Sequence, residues 1–494
     1  MFLQRRLDAL DSSNKTLTSF PSVFLIARWV GHAPLRGFME AFFKLRERGT
    51  SVRTEVLGGL TTFVTMAYIM VVNPAILSFA GIPSGPGTVA TILTSVFGCV
   101  LMGLIANRPI AVAPYMGENA FIAFGLVSLG IGWEQRLGAV FVSGVLFLLI
   151  TLLGIRGWLA NAVPAGLKHS FAVGIGLFLA FIGLYETGIV TSFVTDMPLE
   201  ALQTKAVDLL AAPAVPVKIG NLRDPQVLLA ILGFLLMTVL MIRKVRGALL
   251  IGIVATALVG GLCGFGEAPK ALAAVPFMGD YDLSAIAFKL DIVGVLKLSF
   301  LPVLLTLFLM SFLDTLGTLT GLGAASDMLD EKGNFPEIEK PMLVDALTCM
   351  FSGLAGTSTS GAYIESATGI SEGARTGLAA LVTAALFAVS LFFIPLIEPL
   401  QQLRFAYGPA LIAVGVLMMG SVKRIDFDDL TEWVPAFVTI VMMLFTYNIA
   451  NGLTAGFVVH PILKLASGRE RELNAGMIVL AGLCAAYYGL GLIH

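Results

Sequence analysis

Charge is what this sequence has least of. Asp, Glu, Lys and Arg make up 13% of the chain, about half of what a soluble domain carries. So few charges cannot solvate a water-facing surface, so lipid must contact much of the protein. The net charge is −1, which gives nucleic acid and other polyanions nothing to hold. Cysteine is sparse too. Cys99, Cys263, Cys349 and Cys484 stand singly in apolar stretches, without a CxxC pair, and read as small buried hydrophobes. His32, His169, His460 and His494 are equally scattered. That pattern offers no metal centre, no cofactor site and no Ser–His–Asp arrangement, so an enzyme is not expected. A cleavable signal peptide is also missing. Residues 1–17 are polar and of mixed charge, and Phe20–Val30 is too short to span a bilayer.

Hydrophobic residues, by contrast, make up 57% of the chain, and there are 53 glycines. Glycine suits close helix–helix contact inside a membrane, where small residues replace the hydrophobic effect as the packing device. A spanning helix needs about 20 apolar residues. Stretches of that kind fall near 54–80, 87–106, 110–130, 135–155, 166–186, 225–243, 246–266 and 293–322. They continue near 341–356, 359–373, 375–399, 404–421, 430–447 and 451–466. The fold expected is an all-α polytopic membrane protein of about fourteen helices, with Met477–Ile493 as an extra apolar segment.

The organisation expected is a cytoplasmic N-terminal arm over 1–52, a first seven-helix repeat over 53–266, a second over 292–468, and an extra C-terminal segment over 472–494. Within the arm, Phe38–Arg48 reads as an amphipathic helix on the membrane surface. A cytoplasmic N-terminus puts Arg156/Lys168, Arg243–Arg246 and Lys423-Arg424 inside, as the positive-inside tendency requires. The loop 187–224, with Asp196, Glu200, Asp208 and Asp224, then falls outside. The inside loop Asp327–Glu339 is acidic and fits this less well. The segments Val163–Ala172 and Ile397–Ala406 resemble one another: each has a proline, a base and an aromatic–Ala entry into a helix. Seven helices per half make the halves an inverted repeat, a common plan of secondary transporters.

Three places in the apolar segments carry ionisable groups, at a cost of roughly 2.5–3.5 kcal/mol even on lenient insertion scales. The first is Ser311–Thr318, where Asp314 sits between long apolar runs and Thr318 lies one turn on, over the same face. Read blandly, Asp314 caps a helix end. The second is Gly356–Ser366, where two glycines flank four hydroxyl residues. This composition breaks a helix, favours an extended strand, and places a new helix start around Ser360 or Gly361, with Ser358 or Ser360 as its cap. Thr359 lies in the same break, and Glu365 in the first turns that follow. Glu365 read blandly only offsets a helix dipole. The third is Ala113–Ala120, where Pro114 and Gly117 suit a break and Glu118 and Asn119 bring a carboxylate and an amide. Carboxylates beside free N–H groups match a neutral planar heterocycle with ring N–H donors and carbonyl or ring-nitrogen acceptors. No Arg or Lys is placed to hold an anion at this depth. The acids can also carry a proton, Glu365 and Asp314 above all, so proton-coupled uptake is the mechanism expected.

These residues resemble a known family. Thr54–Pro74 is similar to the opening helix of nucleobase–proton symporters of the xanthine/uracil permease type, and more narrowly to the adenine/guanine/hypoxanthine permease branch. Leu313–Thr318, Tyr363–Ser366, Arg375–Leu378, Asp426–Asp429, Thr431-Glu432 and Pro435–Phe437 resemble that branch's later signatures, in order, from about Phe38 to Gly468. The resemblance implies fourteen helices in two inverted repeats, with short strands before half-helices three and ten. It also implies a core and a gate domain, a homodimer, and a purine base bound by Asp314, Glu365 and Asn119. Two departures stand out: Glu118 where the branch has Leu, and Ser311 where many members have a second Asp. Location in the inner or plasma membrane follows. The competing readings are a uracil or xanthine transporter, an anion exchanger or channel of related fold, and a membrane enzyme, for which no nucleophile–base pair stands out.

Overall fold

The computed structural model describes residues 39–126, 130–154, 162–192, 217–325 and 335–489. It shows a multi-pass membrane protein, helical almost throughout. Among the described residues, nine helical segments are long and apolar enough to cross a bilayer, from Val52–Ser78 to Ile449–Ala466. Ala248–Leu262, Leu430–Phe445 and Ala475–Ala485 are shorter apolar helices.

Helix α1 (Val52–Met66) starts at Ser51, whose hydroxyl accepts from the Thr54 amide. It pauses at Ala67–Tyr68 and resumes as α2 (Ile69–Ser78). Pro74 lies inside α2. Proline has no N–H, so the Met70 carbonyl one turn earlier has no helical donor. The Gln401 side-chain amide supplies one at 3.0 Å. Helix α3 (Ser84–Leu101) runs into a π-helical turn, Met102–Ala106, and stops at Asn107, in left-handed conformation with φ 48°. Strand β1 (Val112–Pro114) and the five-residue α4 (Met116–Ala120) follow. Then come α5 (Trp133–Leu152) and α6 (Ala165–Glu186). Next are the paired strands β2 (Val190–Ser192) and β3 (Val217–Ile219), α7 (Pro225–Ile242) and α8 (Ala248–Leu262).

The second half begins with α9 (Leu301–Ala325) and α10 (Glu339–Ala355), then β4 (Ser360–Ala362) and the six-residue α11 (Ser366–Ser371). Helices α12 (Gly377–Ser390), α13 (Ile394–Gln402), α14 (Arg404–Met418), α15 (Leu430–Phe445), α16 (Ile449–Ala466) and α17 (Ala475–Gly489) complete it. One group of helices packs through α12 against α1 and α3, and through α10 against α3 and α5. Another packs through α14 against α6, α7 and α8, and through α15 against α6 and α16. At the α6–α14 contact the backbones touch: a Cβ on Gly176 would meet the Gly415 carbonyl oxygen at 2.9 Å, the close approach that small residues allow in lipid. Helix α7 exposes Leu232, Leu235, Val239 and Ile242, a face suited to hydrocarbon.

Strands β1 and β4 pair antiparallel, Ala113 opposite Gly361. The ladder extends at both ends, Tyr115 N–H to the Thr359 carbonyl at 3.0 Å and Tyr363 N–H to Ala111 at 2.9 Å. Every residue of both strands is buried. In a dry interior these backbone groups must satisfy each other. A cysteine supports each strand from the preceding helix. Cys99 Sγ bonds both N–H and C=O of Val112, and Cys349 Sγ donates to the Ser360 carbonyl at 3.0 Å.

Several details differ from the sequence reading. Ser358 and Ser360 cap no helix: Ser360 and Gly361 are strand, and α11 begins only at Ser366. Three-residue strands have no periodicity to read. The amphipathic segment is helical only over 39–43 and then turns to residue 49, with Phe43 and Leu45 buried against Leu378. Cys263 is exposed at the end of α8, whereas the other three cysteines are buried. The arm over 1–38, Arg156, Asp196, Glu200, Asp208 and most of Asp327–Glu339 lie outside the described residues, as does the tail beyond residue 489.

Candidate functional site

The two short strands bring three polar clusters together. Tyr68 occupies the break between α1 and α2, and its hydroxyl donates to Glu365 Oε1 at 2.7 Å. Glu365 itself stands at the start of α11 and is half-buried. The Tyr363 hydroxyl lies within electrostatic reach of Glu365 and also of Glu118 and Asp314.

The second cluster centres on Asp314, half-buried on α9. Its carboxyl stands within hydrogen-bonding reach of Glu118 on α4. Glu118 is fully buried, and apart from its own backbone N–H neither carboxyl oxygen has a donor among the described residues. Next to Asp314 in sequence, Thr315 donates to Asp345 Oδ2 at 2.8 Å, leaving the Tyr115 hydroxyl to donate to Thr315 at 2.8 Å. Asp345, fully buried on α10, also accepts from the Ala362 backbone N–H at 2.9 Å. One carboxylate therefore ties α9, α10, β4 and the approach to α4 together. Gly361 has to be glycine here, because any Cβ would collide with the Tyr115 hydroxyl. Thr318 is one turn beyond Asp314 and partly exposed.

The third cluster is an amide–hydroxyl network. Asn73 donates to Thr91 Oγ1 at 2.7 Å and Thr357 Oγ1 at 2.9 Å, while its oxygen accepts from Asn119 at 3.0 Å and Ser358 at 3.2 Å. Asn119, Ser358 and Thr359 are fully buried. Asn119 Oδ1 and Thr359 Oγ1 have no partner among the described residues.

Asp314 and Glu118 are thus adjacent, Glu365 is held by Tyr68, and Asn119 and Ser358 meet at Asn73. The sequence reading passed over Tyr68, Asn73, Tyr115, Tyr363 and Asp345. For Asp345 the signal was available, since it is an acid inside the apolar stretch 341–356. Glu55 was likewise passed over. It is fully buried in α1 and accepts from the backbone amides of Arg375, Thr376 and Ala379, so it caps α12. Among the described residues no group of His, Cys, Asp and Glu could hold a metal ion. A cleft of about 540 Å³ lies elsewhere, lined by Phe265, Lys270, Tyr281, Glu398 and Arg404 among others, and by none of these acids.

Comparison with known proteins agrees with this architecture. A profile described as the permease family, of the xanthine/uracil type, matches residues 53–455. A putative permease of Methanocaldococcus jannaschii is 43% identical, over 91% of this chain and 97% of its own. The adenine permease AdeP of Escherichia coli is 38% identical, over 90% of this chain and 95% of its own. The guanine/hypoxanthine permease PbuO of Bacillus subtilis is 39% identical, over 89% of this chain and 98% of its own. In structure, the chain resembles the transmembrane domain of the cyanobacterial bicarbonate transporter BicA. The TM-score is 0.59 at 17% identity, covering 82% of this chain and 96% of that one, a likeness of fold. On these grounds the chain belongs to the xanthine/uracil permease family of nucleobase transporters, in the branch that contains the adenine and guanine/hypoxanthine permeases.

Proposed function

We propose that this protein is a secondary active transporter that takes up purine nucleobases of the adenine/guanine/hypoxanthine type together with protons, and that it is not an enzyme. The observation that carries this reading is the gathering of polar groups from both halves around the paired β1 and β4: Glu365 bonded to Tyr68, Glu118 beside Asp314, and Asn119 bonded to Asn73. Carboxyl oxygens accept ring N–H groups, and the tyrosine hydroxyls and the Asn119 amide answer the carbonyl and ring-nitrogen acceptors of a base. Asp314, Glu365 and Asn119 are the principal contacts. Thr318 and Glu118 flank them, and Ser358 and Thr359 shape the floor behind. Glu365 and Asp314 are the groups through which proton binding is felt. No cofactor is required.

The architecture proposed to support this is fourteen spans in two inverted repeats, 53–266 and 292–468. Its core contains α1, α3, α10 and α12, and its gate contains α6 and α14. The paired supports of β1 by Cys99 and β4 by Cys349 favour such symmetry, since each cysteine lies on the helix preceding its strand. The chain would sit in the inner or plasma membrane with a cytoplasmic N-terminus, as a homodimer. Transport of uracil or xanthine is the nearest alternative. Anion exchange is disfavoured, because the groups gathered around the acids are hydroxyls and carboxyls. Uptake of labelled hypoxanthine into cells expressing the protein, competed by a panel of unlabelled bases, tests the reading. Purines should compete and a protonophore should stop accumulation. Uptake unaffected by any purine would overturn it.

A further inference from the structure

We propose that Glu118 and Asp314 act as one unit that holds a single exchangeable proton, and that this is the proton bound with the base. The inference rests on the transport reading above and narrows its coupling group from Asp314 and Glu365 to Asp314 with Glu118.

Geometry carries the argument. Helix α4 places the Glu118 carboxyl in a fully buried position, the Tyr115–Thr315 hydrogen bond at 2.8 Å ties the entry of α4 to α9, and the Asp314 carboxyl of α9 faces Glu118. Two bare carboxylates in contact and out of water repel strongly and lack the hydration that would sustain both charges. One proton removes the conflict, because an O–H on one carboxyl then donates to an oxygen of the other. The neighbouring acids have other donors. Asp345 accepts from Ala362 and Thr315, and Glu365 accepts from Tyr68. Among the described residues Glu118 has no donor side chain, although both of its oxygens are buried. Its hydrogen must therefore come from within the pair.

Among the described residues no cation is paired with the two carboxyls: Arg136 of α5 spends its guanidinium on the carbonyls of Ile131, Ala80 and Ile122, the last one turn beyond Glu118. Tyr115 precedes α4, Asp345 and Cys349 come from α10, and Tyr363 follows β4 with Glu365 beyond it. Against the adjacent Gly117, α6 brings the aliphatic Ile175. From α2 comes the neutral Asn73 amide, engaged with Asn119. These titratable neighbours are acids, phenols and a thiol.

Coupling follows from donor and acceptor complementarity. The deprotonated pair presents only acceptors and repels the lone pairs of a purine's ring nitrogen or carbonyl. The protonated pair presents one donor beside acceptors, which matches the alternating edge of the base. Base and proton then arrive together from water on one side and leave to water on the other, with no other atom exchanged.

The test uses the purified full chain and the variant Glu118→Gln, whose amide keeps the shape but cannot carry the proton. In pH-difference infrared spectra without any base, the wild type should show the carbonyl stretch of a protonated carboxylic acid, bleaching as pH rises. This band should be lost in the variant. Above the pair's titration, calorimetric binding of hypoxanthine in buffers of different ionisation enthalpy should show about one proton taken up per base, falling towards none below it. Above the pair's titration, base affinity should fall about tenfold per pH unit, and in Glu118→Gln that slope should vanish. An unchanged slope and proton count in the variant overturn the proposal while leaving transport intact. A wild-type band with no binding of any purine overturns the transport reading and leaves the pair standing. Thermal stabilisation by sodium over choline, lost in Glu118→Gln, would overturn it in favour of a metal cation. Should Glu118→Gln fail to elute as folded protein, Asp314→Asn reads the same pair from its other member.

Discussion

Glu365 takes a hydrogen bond from Tyr68 at 2.7 Å, so its carboxyl is anchored before any base arrives. A hydrogen bond to a charged partner contributes about 1.5–3 kcal/mol. Glu365→Gln should accordingly weaken purine binding by roughly 10–150-fold, measured as the dissociation constant of hypoxanthine. Tyr68→Phe should weaken it less, since it leaves the carboxylate in place. Asp345 is the other decisive residue, and its effect falls on stability. Asp345→Ala strands the Ala362 N–H and the Thr315 hydroxyl in a dry interior. At about 1–3 kcal/mol per unsatisfied group, its thermal midpoint in detergent should fall markedly, with Asp345→Asn in between. A midpoint unchanged in Asp345→Ala would show that the strand is held by other means. The contrast shows what could be read in advance. Asp314, Glu118 and Glu365 stood out because an ionisable side chain in an apolar run is costly. Tyr68 and Tyr363 did not, because a tyrosine among leucines looks like core until its hydroxyl partner is known. Asp345 and Glu55 sit within the first turns of their helices, where an acid passes for a helix-start residue.

Between α2 and α13 the elements are joined by one exchange of donors. Pro74 leaves the Met70 carbonyl without its helical partner, and Gln401 replaces it while also bonding Thr88 at 2.7 Å. Gln401→Leu should therefore cost about 1–3 kcal/mol. Pro74→Ala restores an N–H at the position where the helix expects one, so the double variant should recover part of that loss. Unfolding of the four proteins of this cycle measures the coupling, and strictly additive losses would mean that the two residues act independently. Spanning helices were legible because about 20 apolar residues in a row have few alternatives. The half-helices were located by their glycines and prolines, but their starts were not. Each is preceded by a strand whose pairing strand lies in the other half of the chain, and nothing local to Ser358–Ala362 encodes that pairing.

For the molecule as a whole, orientation is open to a simple chemical test. Cys263 is exposed at the end of α8, while Cys99, Cys349 and Cys484 are buried. With a cytoplasmic N-terminus, Cys263 faces outward. A membrane-impermeant maleimide should then label intact cells expressing the wild type and should not label those expressing C263S. Labelling only after permeabilisation would reverse the orientation. Finally, the β1–β4 ladder bears on the order of assembly. The Ala111 N–H bonds the Ser366 hydroxyl at 2.9 Å across 255 positions of chain, and the strands beside them pair over a similar interval. Synthesis at roughly 5–20 residues per second leaves the first strand waiting on the order of 10–50 s for its mate. Throughout that wait its backbone cannot lie bare in hydrocarbon. The nascent first half must therefore linger in a hydrated or chaperoned state at the insertion machinery, and becomes a finished membrane domain only when the second half threads in beside it.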